Sequence, residues 1–178
     1  MAVKLSSIGH VNITARDMEK SRDFYCRILG FDQGIIEEDP EHGSSIHLEL
    51  PGLGLAIGPL SDPSNEETPP KRREKVGVMH VAFKVATYED LKEAYETLIE
   101  NGIAVRSLVD HVTQRSIMLE DPDGNGVEIY YEYPTALYIY ADGRGDRDDH
   151  FTFDDPLPDF ATWAGLMRSS PEEWRQDG

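Results

Sequence analysis

Cysteine is nearly absent from this chain: Cys26 is the one thiol in 178 residues. A single cysteine excludes an internal disulfide framework. Its place within a predicted helix reads as a packed thiol. Positive charge is scarce too. Seventeen Lys and Arg stand against 34 Asp and Glu, a formal net charge of −17. Nucleic acid is therefore not an expected partner, because phosphate binding needs Lys and Arg to displace counterions. The one basic cluster, Lys71 to Lys75, follows a Thr-Pro-Pro and reads as a solvated linker. No apolar run approaches the roughly 18 residues that span a bilayer, so no membrane partner is expected. The opening MAVKLSSIGHVNITARD lacks the charged-then-apolar layout of a signal peptide. The cytoplasm is the expected location. What remains, 39% hydrophobic and 29% charged, is an ordinary globular composition.

What is present is a repeat. With His10 set above His80, IGHVNITARDMEKSRDFYCRIL runs beside VMHVAFKVATYEDLKEAYETLI. Tyr25 meets Tyr95, and Ile28-Leu29 meets Leu98-Ile99. Each copy begins as an alternating strand and becomes an amphipathic helix. The start signals are Asp17 in one copy and Thr87 with Asp90 in the other. Gly30 and Gly102 suit left-handed C-caps. Three short strand candidates follow each helix: QGIIEED, SSIHLEL and GLAIGPL, then AVRSLVD, RSIMLED and GVEIYYE. Each copy thus reads β-α-β-β-β, an internal duplication. The modules are placed at residues 5–62 and 78–134. A Pro-, Ser- and charge-rich linker covers 63–77, and an acidic extension covers 135–178. Phe151, Phe153, Phe160 and Trp163 are too many aromatics for pure disorder, so the extension is expected to pack on the body. Arg144-Gly145-Asp146, the adhesion tripeptide, reads as a polar turn in a chain without a secretion signal.

DPDGNGVEIYYE, from Asp121 to Glu132, matches the calcium-loop pattern of an EF-hand. That loop needs a helix on each side, whereas RSIMLE and IYYEYP alternate like strands. A tight turn feeding a final strand is the better reading. Glu128, Tyr130 and Glu132 then share one face, and Val127, Ile129 and Tyr131 the other. By the same alternation His80, Ala82 and Lys84 share a face, as do His10 and Asn12. A lone strand histidine is usually structural. Two histidines at repeat-equivalent places plus a carboxylate on a strand's polar face instead suggest a shared metal. His10, His80 and Glu128 would make the two-histidine, one-carboxylate triad of Fe(II) chemistry. The same donors suit Mn(II) or Zn(II).

The chain resembles the vicinal oxygen chelate superfamily, which includes glyoxalase I, bleomycin and fosfomycin resistance proteins, and type I extradiol dioxygenases. The carriers are IGHVNITARDMEKSRDFYCRILGF, MHVAFKV and DPDGNGVEIYY, over about residues 5–134. The resemblance implies an α+β fold: two tandem βαβββ modules pairing into a curved, open mixed β-barrel around a metal site. It places the metal ligands on His10, His80 and Glu128. Glyoxalase-type sites add a fourth ligand from the first copy's last strand. Subtracting the repeat offset from Glu128 leads to residue 58, where LAIGP offers no donor.

A three-ligand site resembles extradiol dioxygenases, in which Fe(II) chelates a catecholate and activates O2. Expected partners are therefore a small catechol-like aromatic and O2, with copies of the chain free to form a homo-oligomer. The resemblance puts His111 close to those enzymes' active-site histidine. It puts Met118 where they carry a tyrosine, so Met118 reads as an apolar pocket wall beside Asn12. The histidine that they carry on the first copy's last strand falls near Leu53 or Gly54. His47, His111 and Tyr130 are the candidate catalytic groups, imidazole being suited to passing a catechol proton. His42 and His150, in polar loop-like segments, read as surface histidines. The alternative is a non-redox member: a glyoxalase-like lyase or isomerase, or a resistance-type protein that binds a small molecule.

Overall fold

The computed structural model describes residues 2–41, 43–62, 64, 76–111, 113–134 and 149–157. His42, Lys71 to Lys75, Arg144-Gly145-Asp146, Phe160 and Trp163 lie outside the described residues. The chain divides into two compact units. The first takes in residues up to 77 together with 121–125, and the second takes in the rest.

In the first unit β1 (His10–Ala15) leads into α1 (Met18–Asp23), then β2 (Asp32–Glu37), β3 (Ser45–Leu50) and β4 (Leu53–Pro59). The sheet order is β1-β4-β3-β2. β1 pairs parallel with β4, and the other pairs are antiparallel. Asp17 caps α1 by accepting from the Lys20 amide. The helix then widens into a π turn over Phe24–Ile28. Its signature is the bond from the Leu29 amide to the Phe24 carbonyl. The helix is thus not the regular one that the sequence suggested. The extra residue lets two neighbouring rings, Phe24 and Tyr25, both enter the core, at 3% and 2% exposure. Cys26 is half-buried rather than packed away. The chain leaves the helix at Gly30, whose φ of 76° is left-handed.

The loop 121–125 belongs to the first unit, and its acidic groups are all engaged there. Asp121 accepts from the Asp123 and Asn125 amides, at 3.0 and 2.8 Å, and from the Tyr25 hydroxyl at 3.0 Å. Asp123 accepts from the Arg16 guanidinium at 3.1 Å and the Ser21 hydroxyl at 3.2 Å. Burial and these two carboxylates hold the Tyr25 hydroxyl protonated far above its ordinary range. The calcium-like pattern is an Asx turn pinned to α1.

The second unit repeats the plan. β5 (Val81–Lys84) leads into α2 (Tyr88–Glu100), β6 (Val105–Asp110), β7 (Gln114–Glu120) and β8 (Gly126–Glu132), with a short β9 (Asp149–His150) added. The sheet order is β5-β8-β7-β6-β9, with β5 parallel to β8. Thr87 and Asp90 form a capping box on α2. Leu91 and Leu98 of α2 are fully buried, as are Ile117, Leu119 and Val127 of the sheet. This is the apolar face predicted from alternation.

β9 pairs with the edge strand β6, Val109 opposite His150. Behind it Phe153 lies against Tyr88 and Tyr95. The Arg115 guanidinium lies 4.7 Å from the Phe151 ring centre. It donates to the Tyr88 hydroxyl and to the carbonyls of Asp155 and Pro156. Among the described residues, no helix is long and apolar enough to cross a membrane.

Candidate metal centre

The parallel pairing of first and last strand positions the site in each unit. His10 opens β1 opposite Gly54 of β4. A Cβ on Gly54 would lie 3.2 Å from the His10 Cβ. His80 stands just ahead of β5, one residue short of the predicted strand, and Val81 pairs with Val127. A Cβ on Gly126 would meet the Met79 carbonyl at 2.1 Å and the His80 Cβ at 3.0 Å. Only glycine lets the backbone that carries His80 pass so close to β8.

Glu128 faces the same side as His80, two residues along β8. It is 4% exposed although charged, so its oxygens need partners. His80 Nε2 lies 2.9 Å from Oε2. Ser116 Oγ donates to Oε1 at 2.5 Å, and Gln114 Nε2 donates to the same oxygen at 2.8 Å. His111 Nε2 lies 3.8 Å from Oε1. Burial pushes the Glu128 carboxyl up. The hydrogen bonds from His80 and Ser116, and the charges of His80 and His111, outweigh burial and hold it below its ordinary value. The Glu128 hydrogen bond in turn raises His80, against the opposing pull of burial.

The remaining predicted residues fall as follows. Met118 pairs with Glu128 across β7 and β8 and is 8% exposed. Tyr130 sits on Glu128's face, opposite Lys84 and Ser116. Lys84 is ion-paired to Glu132. In the first unit Asn12 and His47 both pair with Ala56, from the two sides of β4. His47 Nε2 is within 3.1 Å of Ser45 Oγ and 3.2 Å of Glu37 Oε2. His150 lies near the Leu108 carbonyl, at 3.3 Å.

The register corrects the repeat arithmetic. Ala82 pairs with Glu128, and its counterpart Asn12 pairs with Ala56. The first-unit equivalent of Glu128 is therefore Ala56, not residue 58, because the helical segment of the second copy, Thr87 to Gly102, is two residues longer than Asp17 to Gly30 in the first. Ala56 has no donor atom either.

Sequence reasoning missed Gln114 and Ser116. Their signal was present: both alternate onto the face of Met118, and polar side chains on a covered face require partners. An imidazole nitrogen beside a buried, ionised carboxylate oxygen fits a divalent cation by donor chemistry. His80 and Glu128 are brought together within the second unit, whereas His10 belongs to the first. Among the described residues, no three His, Cys, Asp or Glu side chains are grouped as a metal cage.

A family model described as Glyoxalase/Bleomycin resistance protein/Dioxygenase superfamily matches residues 7–129. The chain belongs to this superfamily. Two curated superfamily members show what it is similar to. Catechol-2,3-dioxygenase of Bacillus subtilis is 29% identical over 93% of this chain and 53% of its own length. The chain therefore spans about half of that relative. Biphenyl-2,3-diol 1,2-dioxygenase 2 of Rhodococcus globerulus is 29% identical over 88% of this chain and 82% of its own length. A solved glyoxalase family protein from Enterococcus faecalis superimposes with a TM-score of 0.59 at 30% identity, over 70% of this chain and 96% of that one. The superfamily's name spans several reactions, so membership by itself does not choose one.

Proposed function

We propose that this protein is an extradiol-type dioxygenase, cleaving a catechol-like aromatic with O2 at a divalent metal held by His10, His80 and Glu128. The observation that carries the reading is the buried Glu128 carboxylate, with His80 at 2.9 Å and His111 at 3.8 Å. The dioxygenase names of two relatives that align along most of this chain support the substrate class. Ala56, which offers no fourth donor, leaves coordination positions for substrate.

A divalent iron held by His10, His80 and Glu128 would supply Lewis-acid and one-electron redox chemistry at this site. The chain's own residues do the rest. Glu128 and His80 present an anionic oxygen and a neutral nitrogen to the ion. His111, 3.8 Å from the carboxylate, would take the catechol proton and return it. Tyr130, on the same face, and His47, opposite Ala56, are the further proton carriers. Met118 and Asn12 bound the aromatic's position as an apolar wall and an amide.

The test is anaerobic loading with Fe(II), then air and a panel of catechols. A ring-cleaved chromophore is expected. Bound iron with no chromophore and no O2 uptake would reject the proposal. Met118, paired with Glu128 where a hydroxyl would otherwise help the proton step, favours a second reading: a non-redox lyase or isomerase using Zn(II) or Mn(II), or a small-molecule binder. Metal analysis of unchelated protein separates these. Stoichiometric zinc or manganese without O2 uptake points to the lyase or isomerase, and no metal points to the binder.

A further inference from the structure

The two oxygens of Glu128 are treated differently by the protein. Oε1 takes two hydrogen bonds from β7, one from Ser116 at 2.5 Å and one from Gln114 at 2.8 Å. Gln114 Nε2 also reaches Ser116 Oγ, at 3.2 Å, closing a three-membered network. Ser116 is fully buried, so no water competes for its hydroxyl. Oε2 faces His80 instead. A carboxylate can bind a cation through one oxygen or both, and its χ3 torsion is soft enough to allow either. Donors committed to Oε1 remove that choice, because turning Oε1 to a cation would strand a buried hydroxyl and a partly buried amide.

We infer that Ser116 and Gln114 are positioning residues that lock Glu128 as a one-oxygen ligand, holding Oε1 out of the coordination sphere. The inference rests on the metal reading above and deepens it. It explains why polar side chains occupy the inner face of β7, whose neighbours Ile117 and Leu119 face the apolar core. It also sets how many coordination positions the protein leaves to a substrate. Neither residue touches the reacting atoms; each acts through Glu128.

The experiment uses the full chain, stripped with chelator and titrated with Co(II) under argon, as wild type, Ser116→Ala and Gln114→Leu. Circular dichroism of the chelated proteins checks that each variant is folded. Both variants are expected to bind Co(II) about 10–100-fold more weakly, the usual cost of losing a partner behind a ligand. Their visible d–d absorption is expected to weaken as Oε1 becomes free to join the ion and the coordination number rises. A purely structural role for Ser116 or Gln114 would not move that spectrum. Wild-type affinity and spectrum in both folded variants would overturn the inference while leaving the metal reading intact. A wild-type protein that binds no Co(II), Fe(II) or Zn(II) would overturn the metal reading and this inference with it.

Discussion

The two modules share a frame and differ at single positions. In each, the opening strand runs parallel to the last strand of its own sheet, and a histidine stands beside a glycine of that last strand. Two residues further along, the second module has Glu128 and the first has Ala56. Across the hairpin, the second has Met118 and the first has His47. Two residues before these stand Ser116 and Ser45. Ser116 donates to Glu128, whereas Ser45 lies against His47. Duplication copied the backbone that aims the side chains. The chemistry was then assigned residue by residue, with the anionic group given to one copy alone.

The sharpest way to break the comparison is to make the second module like the first. Glu128→Ala is expected to abolish stoichiometric metal binding, read by elemental analysis, while circular dichroism stays native. His10→Ala and His80→Ala should do the same. A variant that retains full metal occupancy would remove its residue from the ligand set.

Among the described residues, the segment 149–157 packs on the second module, through β9 on β6 and the carbonyls held by Arg115. Arg115→Met removes the guanidinium that holds the Asp155 and Pro156 carbonyls, and takes from the part-buried Asp110 the charge of Arg115 at 3.2 Å. A loss of about 3 kcal/mol in denaturant unfolding is expected.

The paired glycines give a finer contrast. Gly126→Ala forces a methyl into the Met79 carbonyl and should cost about 1–3 kcal/mol. Gly54→Ala meets a side-chain carbon at 3.2 Å and should cost less, because that contact is far milder than a methyl driven into a backbone carbonyl. Equal costs in urea titrations would show that crowding beside the histidine does not distinguish one module from the other.

The smallest effect concerns pH in chelated protein. His80 is raised in the fold, so its contribution is full below its ordinary 6.5 and fades as pH rises through the folded value. Glu128 is lowered, so its contribution is full above its ordinary 4.5 and fades as pH falls through the folded value. Pair stability is therefore greatest between pH 4.5 and 6.5. In Glu128→Ala that stability maximum should flatten. In wild-type protein, metal affinity should fall with falling pH, because the ion competes with the proton for His80.

Most of the elements were legible as sequence. The caps at Asp17 and Thr87, the glycines after each helix and the period-two strands rest on local sterics and hydrogen bonding. They do not depend on distant partners. The π turn was not legible, because it answers to the burial of both Phe24 and Tyr25. β9 was missed because a two-residue strand has no periodicity of its own and exists through its pairing with β6. Of the candidate site, the alternation in β8 exposed Glu128 as a carboxylate on a polar face. The register that pairs it with Ala82 and Met118 was beyond sequence reach, so the repeat arithmetic slipped by two residues.

Sequence by itself determined the duplication, the strand faces and the types of donor available, since side-chain direction follows from backbone period. Tertiary structure decided which donors are spent and which are offered. It committed the acidic turn at Asp121 and Asp123 to Tyr25, Ser21 and Arg16, and it buried Glu128 between Ser116, Gln114 and His80. The physical reason is that a carboxylate's role depends on its solvent access and its hydrogen-bond partners. Those partners come from strands that only folding brings side by side.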